Sequence, residues 1–180
     1  MLSSLLKLNF YTMKKLFLMA AIAVFGLSNA QQGFKLGAHI GIPVSDAGDA
    51  SSFTLGLDGA YMWNVAPSFD LGVATGYSHF IGKSYDVPGG SVKGDDFGFI
   101  PLALAGKYRF SGSPVSLGLD LGYGFSTKDG IDGGFYYQPK VAYNFSQGEL
   151  YLGYQGITSK VGPFDFGVGA VNLGYNFFLK

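Results

Sequence analysis

The sequence predicts an all-β fold, an eight-stranded antiparallel up-and-down transmembrane β-barrel, on three observations. From Phe34 onward apolar residues recur at every second position over eight segments of about ten residues, the period of strands with two unlike faces. The connections between segments alternate between tight and long. The face opposite the apolar one carries glycine, alanine, serine, asparagine and few charges, too sparse in charge for an exterior bathed in water.

The N-terminal segment reads as an export signal. Residues 13–30 read MKKLFLMAAIAVFGLSNA, with Lys14 and Lys15 ahead of a 12-residue apolar run and small residues Ser28 and Ala30 at the cut. That run is shorter than the ~20 residues a membrane-spanning helix needs. The expected organisation is therefore a signal peptide over 1–30, with translation starting at Met13, and a barrel over 31–180. Cleavage leaves nine basic against twelve acidic residues, a net charge of −3, with no clustered basic footprint for nucleic acid. The absence of cysteine excludes disulfides, thiolate metal sites, cysteine nucleophiles and a lipidated cysteine.

Each segment then follows in order. The first sets Phe34, Leu36, Ala38, Ile40, Ile42 and Val44 against Lys35, Gly37, His39 and Gly41. The second (53–65) opposes Leu55, Leu57 and Trp63 to Thr54, Asp58 and Asn64, and the third (69–78) opposes Leu71, Val73 and Tyr77 to Asp70, Ala74 and Ser78. The fourth (100–110) sets Leu102, Leu104 and Tyr108 against Ala103, Lys107 and Arg109. In the fifth (115–126) Val115, Leu117, Leu119, Leu121, Tyr123 and Phe125 face away from Ser116, Gly118, Asp120, Gly122, Gly124 and Ser126. The sixth (135–145) and seventh (150–155) repeat the pattern, with Lys140 and Gln138 opposite Val141 and Tyr143. The eighth starts on Phe166, Val168 and Ala170 and resumes on Val171, Leu173 and Tyr175, a change of parity beside Gly169 that predicts a β-bulge. Connections after the second, fourth and sixth segments are tight, and those after the first, third, fifth and seventh are longer and polar or glycine-rich.

Aromatic residues gather near segment ends. Trp63, Phe69, Tyr108, Phe110, Tyr143, Phe145, Tyr175 and Phe177 form a candidate girdle at the turn rim, and Phe53, Tyr77, Phe125, Phe135, Tyr137, Tyr154 and Phe166 a second at the loop rim. A signal peptide, eight strands of period two and the closing strand Leu173-Gly174-Tyr175-Asn176-Phe177-Phe178-Leu179 together resemble the outer-membrane β-barrel family, the small eight-stranded barrels similar to OmpA and OmpX, often labelled porin family. The resemblance is one of pattern and covers the whole mature region. It implies a Gram-negative outer membrane and a last strand that serves as an insertion signal. The family commonly ends on an aromatic residue, whereas Leu179 and Lys180 follow Phe178 here.

Taking the polar face as inward, the lumen receives Lys35, Lys107, Arg109 and Lys140 as bases and Asp58, Asp70, Asp120 and Glu149 as acids. Isolated buried ions are costly, so a matched set predicts an ion-pair plug, with Asp120 and Lys140 as neighbours on the fifth and sixth strands. Eight strands leave an interior just wide enough for side chains or one small ligand, which argues against an open pore. His39, and His79 with Ser78 and Ser84, are the candidates for general-base and nucleophile chemistry. Ser78 and His79 alternate across the strand and do not meet, so His39 reads as a polar lumen residue and His79 as an interfacial one. The loop acids, including Asp129 and Asp132, lack the ligand density of a calcium loop, so no metal or cofactor is expected. The expected function is a non-enzymatic integral barrel with a structural or surface-interaction role, its partners outer-membrane lipids and other outer-membrane proteins. A conduit for a small apolar molecule, suggested by inward Phe97, Phe99, Tyr136 and Tyr151, and an accessory subunit of a larger complex are the alternatives.

Overall fold

A computed structural model describes residues 33–88 and 90–179. The signal segment expected at 1–30 lies outside the described residues. In chain order the elements are β1 (Gly33–Val44), the short helix α1 (Asp46–Ala50), β2 (Ser51–Ala66), β3 (Phe69–Gly82), β4 (Ser84–Val87), β5 (Gly90–Lys93), β6 (Phe97–Arg109), β7 (Val115–Ser126), β8 (Gly134–Asn144), β9 (Gly148–Val161) and β10 (Phe164–Leu179). Eight of the strands close into one barrel in the order β1-β10-β9-β8-β7-β6-β3-β2. The seam is an antiparallel ladder from Phe34↔Leu179 to Val44↔Gly169, so the wall has no open edge.

The wall is inside-out relative to a barrel that lives in water. Outward leucines stand bare, Leu104 at 72% and Leu57 at 65% exposure, whereas inward Asn172 and Gln155 are sealed at 0% and 1%. The turn-rim aromatics touch in pairs along their strands: Tyr61 meets Trp63 at 4.8 Å, Tyr108 meets Phe110 at 5.2 Å, Tyr143 meets Phe145 at 4.9 Å and Tyr175 meets Phe177 at 4.7 Å between ring centres.

Three expectations are corrected at the loop end. No bulge interrupts β10: its register with β1 and β9 runs unbroken through Gly169, and Val168, Ala170, Asn172 and Asn176 all point inward. The apparent change of parity arises because the lumen itself turns apolar at this height. Phe80, Phe97, Phe99, Ile157, Val168 and Ala170 pack there with Ala47 of α1, and Phe166 packs against them rather than joining the outer girdle. The register does shift in β2, between Ser51 and Phe53 and between Asn64 and Ala66.

The same inversion hid the length of β9. Ile157 and Ser159 face inward while Thr158 and Lys160 face outward, so the strand continues to Val161 although apolar and polar residues have exchanged sides. The connection to β10 is consequently the tight turn Gly162-Pro163, with Gly162 in the left-handed region (φ 60°), and not the longer loop expected. The connection after β3 holds the hairpin β4–β5, paired from Ser84↔Lys93 to Val87↔Gly90, as a separate two-stranded sheet.

The apolar cluster predicts a specific cost. Phe99 is fully buried within it, so Phe99→Ala should lower the unfolding free energy by about 3–5 kcal/mol, read from urea titrations followed by heat-modifiable gel migration. Phe125→Ala, at an outward position, is the control.

Candidate functional site

Strand parity delivers a stack of polar layers to the lumen. At the turn rim Asp70 of β3 faces Asn64 across the β2–β3 ladder and accepts from its Nδ2 at 2.8 Å. Arg109 of β6 donates to the same carboxylate at 2.9 Å. Arg109 remains 42% exposed at its side chain, so this pair borders the solvent.

The next layer centres on Glu149. Asn144, Glu149 and Asn176 occupy one row across β8, β9 and β10. The carboxylate accepts from Lys35 Nζ at 3.1 and 3.2 Å, from Lys107 Nζ and from Asn176 Nδ2 at 3.1 Å. The Phe178 ring lies 5.4 Å from the Lys35 ammonium and 5.6 Å from that of Lys107, a cation–π contact under both. Two lysines therefore share one acid, which leaves this layer with a surplus positive charge.

The compensating acid lies higher. Lys140 donates to Asp120 at 2.5 Å. Among the described residues Asp58 has no lysine or arginine within ion-pair distance; it instead accepts from Tyr151 Oη at 2.6 Å and contacts His39 Nδ1 at 2.9 Å. His39, Gly56 and Ser78 are directly paired across β1, β2 and β3. A Cβ on Gly56 would stand 2.4 Å from the imidazole, so glycine there is what lets the ring reach across β2 to Ser78 Oγ, 3.2 Å from Nε2. Ser78 in turn donates to Gln155 Oε1 at 3.1 Å, which also accepts from Asn172 at 2.9 Å.

The eight charged residues proposed from sequence thus occupy one lumen, but their pairing is not one-to-one. Four amides outside that charged set, Asn144, Gln155, Asn172 and Asn176, extend the network. Their only signal was inward parity on a strand. The Ser78–His39–Asp58 hydrogen-bonded chain has the connectivity of an acyl-transfer triad, but Ser78 and His39 are 2% and 4% exposed, and two cavities beside the network hold about 30 and 40 Å³. Such volumes fit a water molecule or so and no drug-sized substrate.

The remaining candidates lie outside the lumen. His79 faces outward, with Nδ1 3.0 Å from Tyr77 Oη and Nε2 3.4 Å from Asp96, while Ser84 belongs to exposed β4. The Gly82 backbone N–H, donating at 2.9 Å, is the main cause holding the Asp96 carboxyl below its ordinary value, with Lys93 and His79 assisting. Among the described residues no group of three or more His, Asp or Glu is disposed to hold a metal ion.

No family model matches the sequence, and no curated protein does. Solved structures do match. Ail of Yersinia pestis, crystallised with the heparin analogue sucrose octasulfate, superposes with a TM-score of 0.52 at 14% identity, over 82% of this chain and 97% of Ail. Neisserial surface protein A superposes with a TM-score of 0.50 at 19% identity, over 81% of this chain and 95% of that one. The fold is accordingly that of the small eight-stranded outer-membrane barrels.

The lumen geometry predicts non-additive mutations. Asp120→Ala strands the Lys140 ammonium, and Lys140→Met strands the carboxylate. Each should cost about 3–5 kcal/mol, whereas the double variant Asp120→Leu/Lys140→Met should cost less than either, in urea titrations of the refolded barrel.

Proposed function

We propose that the protein is an integral barrel of a Gram-negative outer membrane, exported by a cleaved signal peptide, with a structural or surface-interaction role and no open pore. The observation that carries this reading is the reversed polarity of the wall. Outward leucines and valines on all eight barrel strands meet the surroundings, and hydrogen-bonded ions and amides fill the inside. In water such an exterior would be a continuous apolar patch far beyond what soluble monomers carry. In hydrocarbon it is the favourable surface, and closure of the sheet gives both edges of the wall a ladder partner where lipid offers none.

The aromatic rows at the two rims support an interfacial placement, with lipid as the immediate partner. The hairpin β4–β5 supports the surface-interaction reading. It presents Tyr85 and Val92 as a directly opposed pair, 49% and 58% exposed, beyond the barrel wall. The apolar-conduit alternative loses support because Phe97, Phe99 and Tyr136 are packed in the buried cluster around them and Tyr151 is itself sealed among the lumen polar groups.

Planar-bilayer recording tests the filled lumen. The purified barrel should insert without steady unitary conductance, and large stable openings in a correctly folded preparation would contradict the proposal.

A further inference from the structure

The loop end of the lumen is closed by α1, the short connection between β1 and β2. α1 is five residues long, and only Ala47 of it is fully buried, seated among Phe80, Phe97, Phe99, Ile157, Val168 and Ala170. So short a helix has no intrinsic stability, and its position depends on what holds it. The polar holds are few and specific. Lys83 donates through Nζ to Gly48 O at 2.5 Å and through its backbone N–H to Ala50 O at 2.9 Å. Tyr85 Oη donates to Asp49 O, and the Gly167 N–H donates to Asp46 Oδ2 at 2.7 Å.

Entry into α1 is strained. Ser45 has φ 55° and ψ −150°, a conformation that side-chain-bearing residues rarely adopt, and it makes no side-chain capping bond. It is the only non-glycine residue with positive φ among the described residues. Strain of this kind persists only where the surroundings enforce it, and here it lies at the hinge between β1 and the closing helix.

We propose that α1 is a displaceable stopper of the lumen, hinged at Ser45, plugged by Ala47 and held shut by a catch formed by Lys83 and Tyr85. The catch residues lie at the root of the protruding hairpin: Lys83 O accepts from Gly94 N–H at 2.7 Å, and Tyr85 is the first apolar residue of β4, paired with Val92. Displacement of the hairpin therefore withdraws the Lys83 and Tyr85 donors from α1. Release relieves the Ser45 backbone and uncovers the aromatic layer of Phe80, Phe97 and Phe99, while the ion pairs below stay in place. The device does not depend on what engages the hairpin.

The natural chain has no cysteine, which allows a single introduced thiol to report the state of the stopper. Ala47→Cys and the exposed reference Asp49→Cys are reacted with a hydrophilic maleimide in nanodiscs, and heat-modifiable migration confirms that each variant is folded. Ala47→Cys should react far more slowly than Asp49→Cys. Adding Lys83→Met with Tyr85→Phe should accelerate Ala47→Cys labelling about tenfold, the scale of losing two hydrogen bonds. Adding Ser45→Gly instead should slow it, because glycine adopts the hinge conformation without strain. Equal labelling of Ala47→Cys and Asp49→Cys in the otherwise unaltered chain, or an Ala47→Cys rate that the catch substitutions leave unchanged, overturns the proposal.

Discussion

The ladder between β1 and β10 is the constraint on which the rest of the structure depends. It joins the first strand to the last over eleven residue pairs, and without it both strands would present a row of unpaired N–H and C=O groups. In a medium that offers no hydrogen bonds such an edge costs several kcal/mol per group. Closure also fixes parity around the whole wall, because each ladder ties the inward residues of one strand to the inward residues of the next. The polar layers of the lumen follow from this. His39 can span Gly56 to Ser78 only because three consecutive strands hold those residues in one row.

Inside the closed wall, height decides chemistry. The turn-rim half of the lumen is ionic, and its two-lysine cluster around Glu149 is offset by Asp58 one layer up, so charge balances over the lumen as a whole rather than pair by pair. The loop-rim end is aromatic and aliphatic, sealed by Ala47. These two fillings support the proposed absence of an open pore by different means. Ion pairs occupy the centre through hydrogen bonds whose loss strands a charge, and the apolar layer excludes water by packing.

Much of this was legible in the amino-acid sequence because a period of two carries the inward or outward assignment directly. The inward placement of all eight lumen charges and the outward placement of Trp63, Tyr108, Tyr143 and Phe177 needed nothing else. Legibility failed where residue polarity ceased to report direction. Val168 and Ala170 look outward by chemistry and are inward by register, which created a false bulge, and Ile157 concealed the continuation of β9 for the same reason. The four-residue strands of the hairpin are too short for alternation to register. The Ser78–His39–Asp58 chain of contacts depends on relative strand stagger, which parity alone does not contain.

Reversed polarity is the central claim, and collision accessibility of spin labels on the outer wall tests it most directly. Nitroxides attached one at a time at Leu102, Leu104, Leu119 and Leu121, on the refolded barrel in lipid vesicles, would be exposed in turn to oxygen, which partitions into hydrocarbon, and to a water-soluble nickel reagent. The account predicts high oxygen and low nickel accessibility at all four positions. Strong nickel accessibility at Leu104 and Leu121, paired directly across β6 and β7 near the middle of both strands, would mean that water and not lipid bathes the exterior, and would contradict it.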